Sequence, residues 1–308
     1  MGFVDLHVHS TASDGSCPPE AVISLAVQAG LDAIALTDHD TVDGIPAAQN
    51  AADAAGIRLI PGIEVSSIYH GTEIHILGLF VTPSDPVLGR MLEEFRRIRD
   101  DRNRQMLSRL EQDGMPLTRA QLTGSNPDTV ITRAHVARAM VEAGYAPSLD
   151  QAYKRYLRYG GKYCPRKASP APEAVVSALL SGGAFVSLAH PYQYNLGDGG
   201  IRTLVTQMKE MGMQGLEVYH SSHNQHDSGK LQVLAKELGL LPTGGSDFHG
   251  ANKPDISIGT GRGSGCPPCC WTTSTACAPG AEIPPKMAFI GTCDLPAGRI
   301  FLNFYEFL

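Results

Sequence analysis

His7 and His9, in the opening stretch "FVDLHVHSTASDGS", stand two residues apart, which puts both imidazoles on one face if the segment is a strand. Alone, such a pair suits two satisfied core histidines as well as it suits a metal site. The same chemistry recurs farther along: Asp14 just past the first run, Asp38 and His39 in "TDHD", Glu64 in "GIEVS", His75 in "TEIHILGLF", His190 in "LAHP", and Asp247 with His249 in "SDFH". Apart from Asp14 and His75, these later groups close segments that read as strands. Carboxylates and imidazoles brought together there are costly to bury unless they pair or hold cations, so the recurrence predicts metal ions. Nitrogen donors favour zinc, manganese or iron over a site for magnesium alone. Adjacent ions orient a phosphate, acidify a bridging water and stabilise a leaving oxygen, which makes phosphoester hydrolysis the expected chemistry.

The elements that must position these groups alternate. A strand from Phe3 to His9 precedes a helix at Pro19 to Gly30, "LDAIALTDHD" precedes the helix "IPAAQNAADAAG", and "IRLIPGIEVSS" supplies the next strand. "TEIHILGLF", "GAFVSLAHP", "GLEVYHS" and "LLPTGGSDFHG" complete the strand candidates, with helices at Ile201 to Met211 and Lys230 to Leu238 among the later ones. Seven strand-bearing units predict an α/β fold, a small distorted barrel whose strand ends converge on one mouth.

The rhythm breaks after residue 80. "VLGRMLEEFRRIRDDRNRQMLSRLEQDG", "TRAHVARAMVEAGY" and "LDQAYKRYLRYGG" are helical and rich in arginine, so residues 81–170 read as an inserted helical subdomain between barrel segments 1–80 and 171–263. Its helix surfaces are solvated by default, but basic side chains beside barrel loops also suit an anion. Residues 264–308 form an atypical tail rich in cysteine and proline; Cys266 and Cys269 have no matching second pair for zinc. A chain of 308 residues with 43% hydrophobic residues and a net charge of -6 is globular and carries no general basic footprint for nucleic acid. No targeting segment or membrane span is evident, so a cytoplasmic protein without membrane partners is expected. The cysteines give the main body no disulfide framework, and oligomeric state is not legible.

"HVH", "TDHD", "GIEVS", "LAHP" and "SDFH", in this order, resemble the motifs of the polymerase-and-histidinol-phosphatase (PHP) superfamily over about residues 3 to 262. The resemblance implies a distorted (β/α)7 barrel with two or three divalent ions, manganese expected and zinc or iron as alternatives. It places His7, His9, Glu64 and Asp247 on one ion, Glu64, His75 and His190 on a second, and Asp14, His39 and His249 on a third, with Glu64 bridging the first two. Asp38 falls outside that set and is expected to orient or polarise His39 or a neighbouring ligand. His223 resembles a histidine that relatives place above the metals, to contact phosphate or protonate the leaving oxygen, and with Asp247 makes the expected catalytic pair. His220 and His226 have weaker claims.

The insertion, with "TRAHVARAMVEAGY" and "YLRYGGKYCPRK", resembles the branch of nucleoside 3',5'-bisphosphate phosphatases and small-RNA exonucleases. Arg133, Lys162 and Arg166 are the candidates to anchor a second phosphate, joined by His223 at the reacting one. The expected reaction is attack of a metal-bound hydroxide on the 3'-phosphorus of a small phosphorylated nucleotide such as adenosine 3',5'-bisphosphate, giving AMP and phosphate. The alternatives are 5'-to-3' exoribonuclease action on short 5'-phosphorylated RNA, histidinol-phosphate hydrolysis, and a noncatalytic module that binds phosphate or nucleic acid.

Overall fold

The structure is a computed structural model and describes residues 3–124, 126, 128–165 and 170–261. The tail expected at 264–308 and the phosphate anchor expected at Arg166 lie outside these residues.

Seven strands form one sheet in sequential order: β1 (Phe3–Val8), β2 (Leu31–Leu36), β3 (Arg58–Tyr69), β4 (Thr72–Leu79), β5 (Phe185–Leu188), β6 (Gly215–His220) and β7 (Leu241–Gly245). All but β3 fall within segments that the sequence pattern marks as strands; β3 continues two residues past "IRLIPGIEVSS" to Tyr69. Helices α1 (Pro19–Gln28) and α2 (Ile45–Ala55) make the crossovers from β1 to β2 and from β2 to β3, as parallel neighbours require. The β3–β4 pair is instead an antiparallel hairpin, turned by His70 and Gly71 at φ 46° and 83°. Two successive positive φ values suit the tight turn whose twist matches its strands. β5 is antiparallel to β4, after which β5, β6 and β7 run parallel.

The sheet closes on itself where β7 meets β1. The amide of Asp247 donates to the carbonyl of His7 at 2.8 Å, and the amide of His9 donates to the carbonyl of Phe248 at 3.0 Å. Along β3, Ile60 and Glu64 share a face, as do Leu79 and His75 along β4. Ile60 and Leu79 pack with Val4, Leu6, Ala33, Ala35 and Phe185 in a small apolar cluster. One end of the strand faces is therefore a hydrophobic plug, and the other carries the polar groups. A larger core lies between the sheet and α1, α2 and the later helices.

Between β4 and β5 come α3 (Pro86–Gln112), α4 (Arg119–Thr123), α5 (Arg133–Glu142), α6 (Leu149–Arg155) and α7 (Pro172–Ser181); α8 (Gly197–Glu210) and α9 (Gln225–Leu238) follow β5 and β6. α3 begins at a strong cap, with the Asp85 carboxylate accepting from the amides of Val87 and Leu88 and Pro86 in the first turn. Its first half buries Leu88 and Phe95 in the barrel core. Its second half buries Met106 and Leu110 with Leu122, Val136 and Met140 in a separate helical core. Arg99, Arg102 and Asn103 are buried where the helix passes from one core to the other. α6 is shorter than "LDQAYKRYLRYGG" predicts: it stops at Arg155, and the amide of Leu157 folds back to the carbonyl of Ala152 as its side chain enters the helical core. Among the described residues, no helix is long and apolar enough to cross a membrane.

Candidate metal centre

Strand ends, the loops after them and the middles of β3 and β4 deliver the sequence-selected groups to one place; Glu64 does not close its strand, which runs on to Tyr69, and all but His39 and His75 are nearly or wholly buried. The Nε2 atoms of His7 and His9 lie 3.1 Å apart. Both also face Glu64 Oε2, at 3.3 and 3.2 Å, and Asp247 Oδ1, at 3.7 and 3.4 Å. The other Glu64 oxygen, Oε1, is 2.9 Å from His75 Nδ1 and 2.9 Å from His190 Nε2. Asp14 Oδ1 is 3.2 Å from His249 Nε2, while His39 Nε2 is 3.8 Å from Asp14 Oδ2. The three residue sets implied by the family resemblance are thus each drawn together, and Glu64 touches all three, Oε1 facing His75 and His190 and Oε2 facing His7, His9 and, at 3.1 Å, His39.

Charge follows this geometry. Burial opposes ionisation of Glu64, but His39, His75 and His7 outweigh it and hold the carboxyl well below its ordinary range. Burial likewise opposes ionisation of Asp14 and Asp247; His39 and His249 overcome it at Asp14, and Lys253 and His249 at Asp247. His39 is pushed well below its ordinary value and His190 down to about 4, both chiefly by burial. Burial also disfavours the cationic form of His9, yet its contacts with Asp247 and Glu64 raise it to about 9. The carboxylates therefore stay ionised with protons drawn onto His7 and His9, positive charge that divalent cations would supply in their place. Asp14 Oδ1 and His190 Nδ1 are buried without a hydrogen-bond partner, and the ring nitrogens of His7 and His9 converge where one proton satisfies only one of them. Ligand atoms within 4.8 Å of one another occur in the groups His9, Asp14, His39 and His249; His7, His220 and Asp247; His7, Glu64 and His190; and His39, Glu64 and His75. The residues fit a multinuclear metal site.

Strand ends also carry backbone strain. His190 and Asp247 have φ of 23° and 56°, a region costly for residues with a Cβ, and both turn the chain at the centre.

The supporting groups were only partly legible beforehand. His220, at the last position of β6, is buried with Nε2 3.2 Å from Asp247 Oδ2, so its claim is stronger than its loop-like context suggests. Glu217, three residues before that strand end, places Oε1 3.0 Å from His7 Nδ1 and accepts from the His190 amide with Oε2 at 2.7 Å. It fixes one imidazole and the backbone of another. Asp38 orients a neighbour, but by way of a loop: it accepts from the Ser10 amide and from the hydroxyls of Ser10 and Ser13, tying down the turn that carries Asp14. Asp5 accepts from the amides of Ser246 and Gly259, fastening β1 to the segment after β7. His223 belongs to none of the candidate ligand groups; its ring centre is 5.3 Å from that of His220. Its Nδ1 donates to the Val218 carbonyl at 3.0 Å, its Nε2 is buried without a hydrogen bond, and burial pushes it down to about 4.

A cavity of about 330 Å³ opens beside the centre. Asp14, His39, His75 and His249 line it together with Arg99, Arg102, Arg133 and Arg138. Arg99 pairs with Asp40 and donates to Ser66 Oγ, and Arg133 pairs with Glu73 at 2.7 Å. Arg102, only 2% exposed, bonds to Asn103 Oδ1 and has no carboxylate within ion-pair distance among the described residues. Neither Arg99 nor Arg102 was singled out in the sequence, although their spacing of three puts them on one helix face. Lys162 is a correction: its side chain is 66% exposed, its ammonium pairs with Asp113, and it does not line the cavity. Asp113 caps the far end of α3, fourteen residues beyond Arg99, about 21 Å along a helix.

Residues 5–163 match the model of the PHP domain family. The chain is 35% identical over 246 residues to a 5'-3' exoribonuclease of Haemophilus influenzae, covering 80% of this chain and 89% of that protein. It is 33% identical over 261 residues to a 3',5'-nucleoside bisphosphate phosphatase of Chromobacterium violaceum, covering 84% and 91%. The fold superposes on the solved structure of an amidohydrolase from Chromobacterium violaceum, with bound sulfate and no metal, at a TM-score of 0.76 and 34% identity over 83% of this chain and 89% of that one. With its barrel, its clustered strand-end ligand types and these matches, the chain belongs to the PHP superfamily of metallophosphoesterases, close to the nucleoside bisphosphate phosphatase and exoribonuclease branch.

Proposed function

We propose that this protein hydrolyses the 3'-phosphate of nucleoside 3',5'-bisphosphates, such as adenosine 3',5'-bisphosphate, to leave the nucleoside 5'-monophosphate and phosphate. The observation that carries the reading is one cavity whose lining combines candidate metal ligands with buried guanidiniums. Divalent ions held by His7, His9, Asp14, His39, Glu64, His75, His190, Asp247 and His249, manganese first and zinc or iron as alternatives, supply Lewis acidity and a more acidic water. Arg102, whose guanidinium has no carboxylate within ion-pair distance among the described residues, offers a distal phosphate a charge-assisted partner. Arg99 and Arg133 are held by Asp40 and Glu73, so their guanidiniums are oriented before substrate arrives. Leu149 and Tyr153, 39% and 36% exposed, give the same cavity an apolar edge suited to the face of a sugar or base. His223 is neutral by burial and does not line this cavity; it would donate to a leaving oxygen only where a phosphate dianion reaches Nε2 and favours its protonated form.

The Chromobacterium relative named for this activity supports the reading. The Haemophilus relative supports a second one, 5'-to-3' removal of nucleotides from short 5'-phosphorylated RNA. Product analysis separates them: adenosine 3',5'-bisphosphate, 5'-phosphorylated RNA and histidinol phosphate are each incubated with manganese, with and without chelator. AMP and phosphate from the first substrate, lost with chelator, are expected. Mononucleotides released from RNA with the bisphosphate left intact would move the assignment to the exoribonuclease, and hydrolysis of histidinol phosphate alone would overturn both.

A further inference from the structure

The helical insertion is fastened to the loop that carries Asp14. Asn126 Nδ2 donates to the Thr11 carbonyl at 2.9 Å, the Val130 amide to the Ala12 carbonyl at 3.0 Å, and Thr129 Oγ1 to the Ser13 carbonyl at 2.7 Å. The last link differs in kind, because Thr132 Oγ1 lies 3.0 Å from Asp14 Oδ2, a side-chain oxygen, with both residues buried. Thr132 is the N-cap of α5, and its hydroxyl oxygen already accepts from the Ala134 amide at 3.1 Å. Its one proton has two possible acceptors, Asp14 Oδ2 and His135 Nδ1. His135 Nδ1 is taken by the Thr132 amide at 3.0 Å, while the same ring bonds to the Ser13 backbone. The hydroxyl proton is thereby directed to Asp14. Oδ2 is held by the insertion, and Oδ1 is left without a hydrogen bond, facing His249.

We infer that Thr132 is a positioning residue for the metal centre: through Asp14 Oδ2 it aims Oδ1 at the ion shared with His39 and His249. The inference rests on reading Asp14 as a metal ligand. The insertion then completes one metal site from the side opposite the strands, with Arg133, which lines the cavity, as the next residue. Outer partners of this kind change metal affinity by about 10- to 100-fold when removed. The test is manganese titration of chelator-stripped protein by calorimetry, with metal analysis after gel filtration. Thr132→Val should lose or weaken one ion by about 10- to 100-fold and leave the others unchanged. Thr132→Gly, which caps a helix nearly as well, should show the same loss, and Thr132→Ser should restore the ion. Wild-type stoichiometry and affinity in Thr132→Gly overturns the inference. Asp14→Asn separates the levels: if it loses the ion and Thr132→Gly does not, only the positioning role fails, whereas if it keeps every ion the reading of Asp14 beneath it fails.

Discussion

At the scale of single residues, the ligand types were legible because buried imidazole and carboxylate are rare enough that their recurrence at strand ends carries information. Their supports were less so. Glu217 sits inside a strand where a lone glutamate has no distinguishing context, yet it bonds to His7 and to the backbone of His190. The arginines show the same limit: Lys162 and Arg102 are both cations in a helical insertion, and only folding separates an exposed partner of Asp113 from a guanidinium buried in the cavity wall. Arg102→Met is therefore expected to lower kcat/KM for adenosine 3',5'-bisphosphate by about tenfold to a hundredfold, the worth of a hydrogen bond to a charged group, mainly through KM. Hydrolysis of p-nitrophenyl phosphate, which has no second phosphate, should change little. Lys162→Ala should leave both reactions as they are, and a KM for the bisphosphate raised by Lys162→Ala as much as by Arg102→Met would refute the placement of the anchor.

At the scale of elements, strand position was readable from apolar runs, but strand direction was not. The hairpin at His70 and Gly71 makes β4 run against its neighbours and so brings His75 opposite Ser66, two residues along β3 from Glu64. The crossing of β7 over β1 is equally invisible in composition. Gly245 lies there, and a Cβ on it would fall 2.2 Å from His7 Cβ and 2.5 Å from the His7 backbone nitrogen. Gly245→Ala should destabilise the fold by about 1–3 kcal/mol, the usual cost of forcing volume into a packed site. Because the displaced atoms belong to His7, manganese binding should weaken as well, and urea melts beside metal titration would check both effects. A variant with unchanged stability and metal affinity would show that the barrel seam has room the close approach denies.

At the scale of the whole molecule, one centre gathers groups from β1, β3, β4 and β6, from the loops after β1, β2, β5 and β7 and, through Thr132, from the insertion. No local segment contains enough of it to hold an ion, so metal binding and folding must be linked. Chelation should lower Tm, and manganese at a hundred times its Kd should add about 2.7 kcal/mol to the free energy of unfolding; thermal melts that ignore manganese would argue against ions bound only by the folded chain. The seven strands and the expected ligand types could be anticipated, since each depends on patterns within short segments. The cavity could not, because it lies between cores that meet only midway along α3. The claim that this cavity joins a metal centre to a second phosphate anchor is tested most directly by phosphate release from adenosine 3',5'-bisphosphate and from adenosine 3'-monophosphate with manganese. The account predicts much the higher kcat/KM for the bisphosphate and no release from either with chelator; equal values for the two substrates, or full activity in metal-stripped protein, would contradict it.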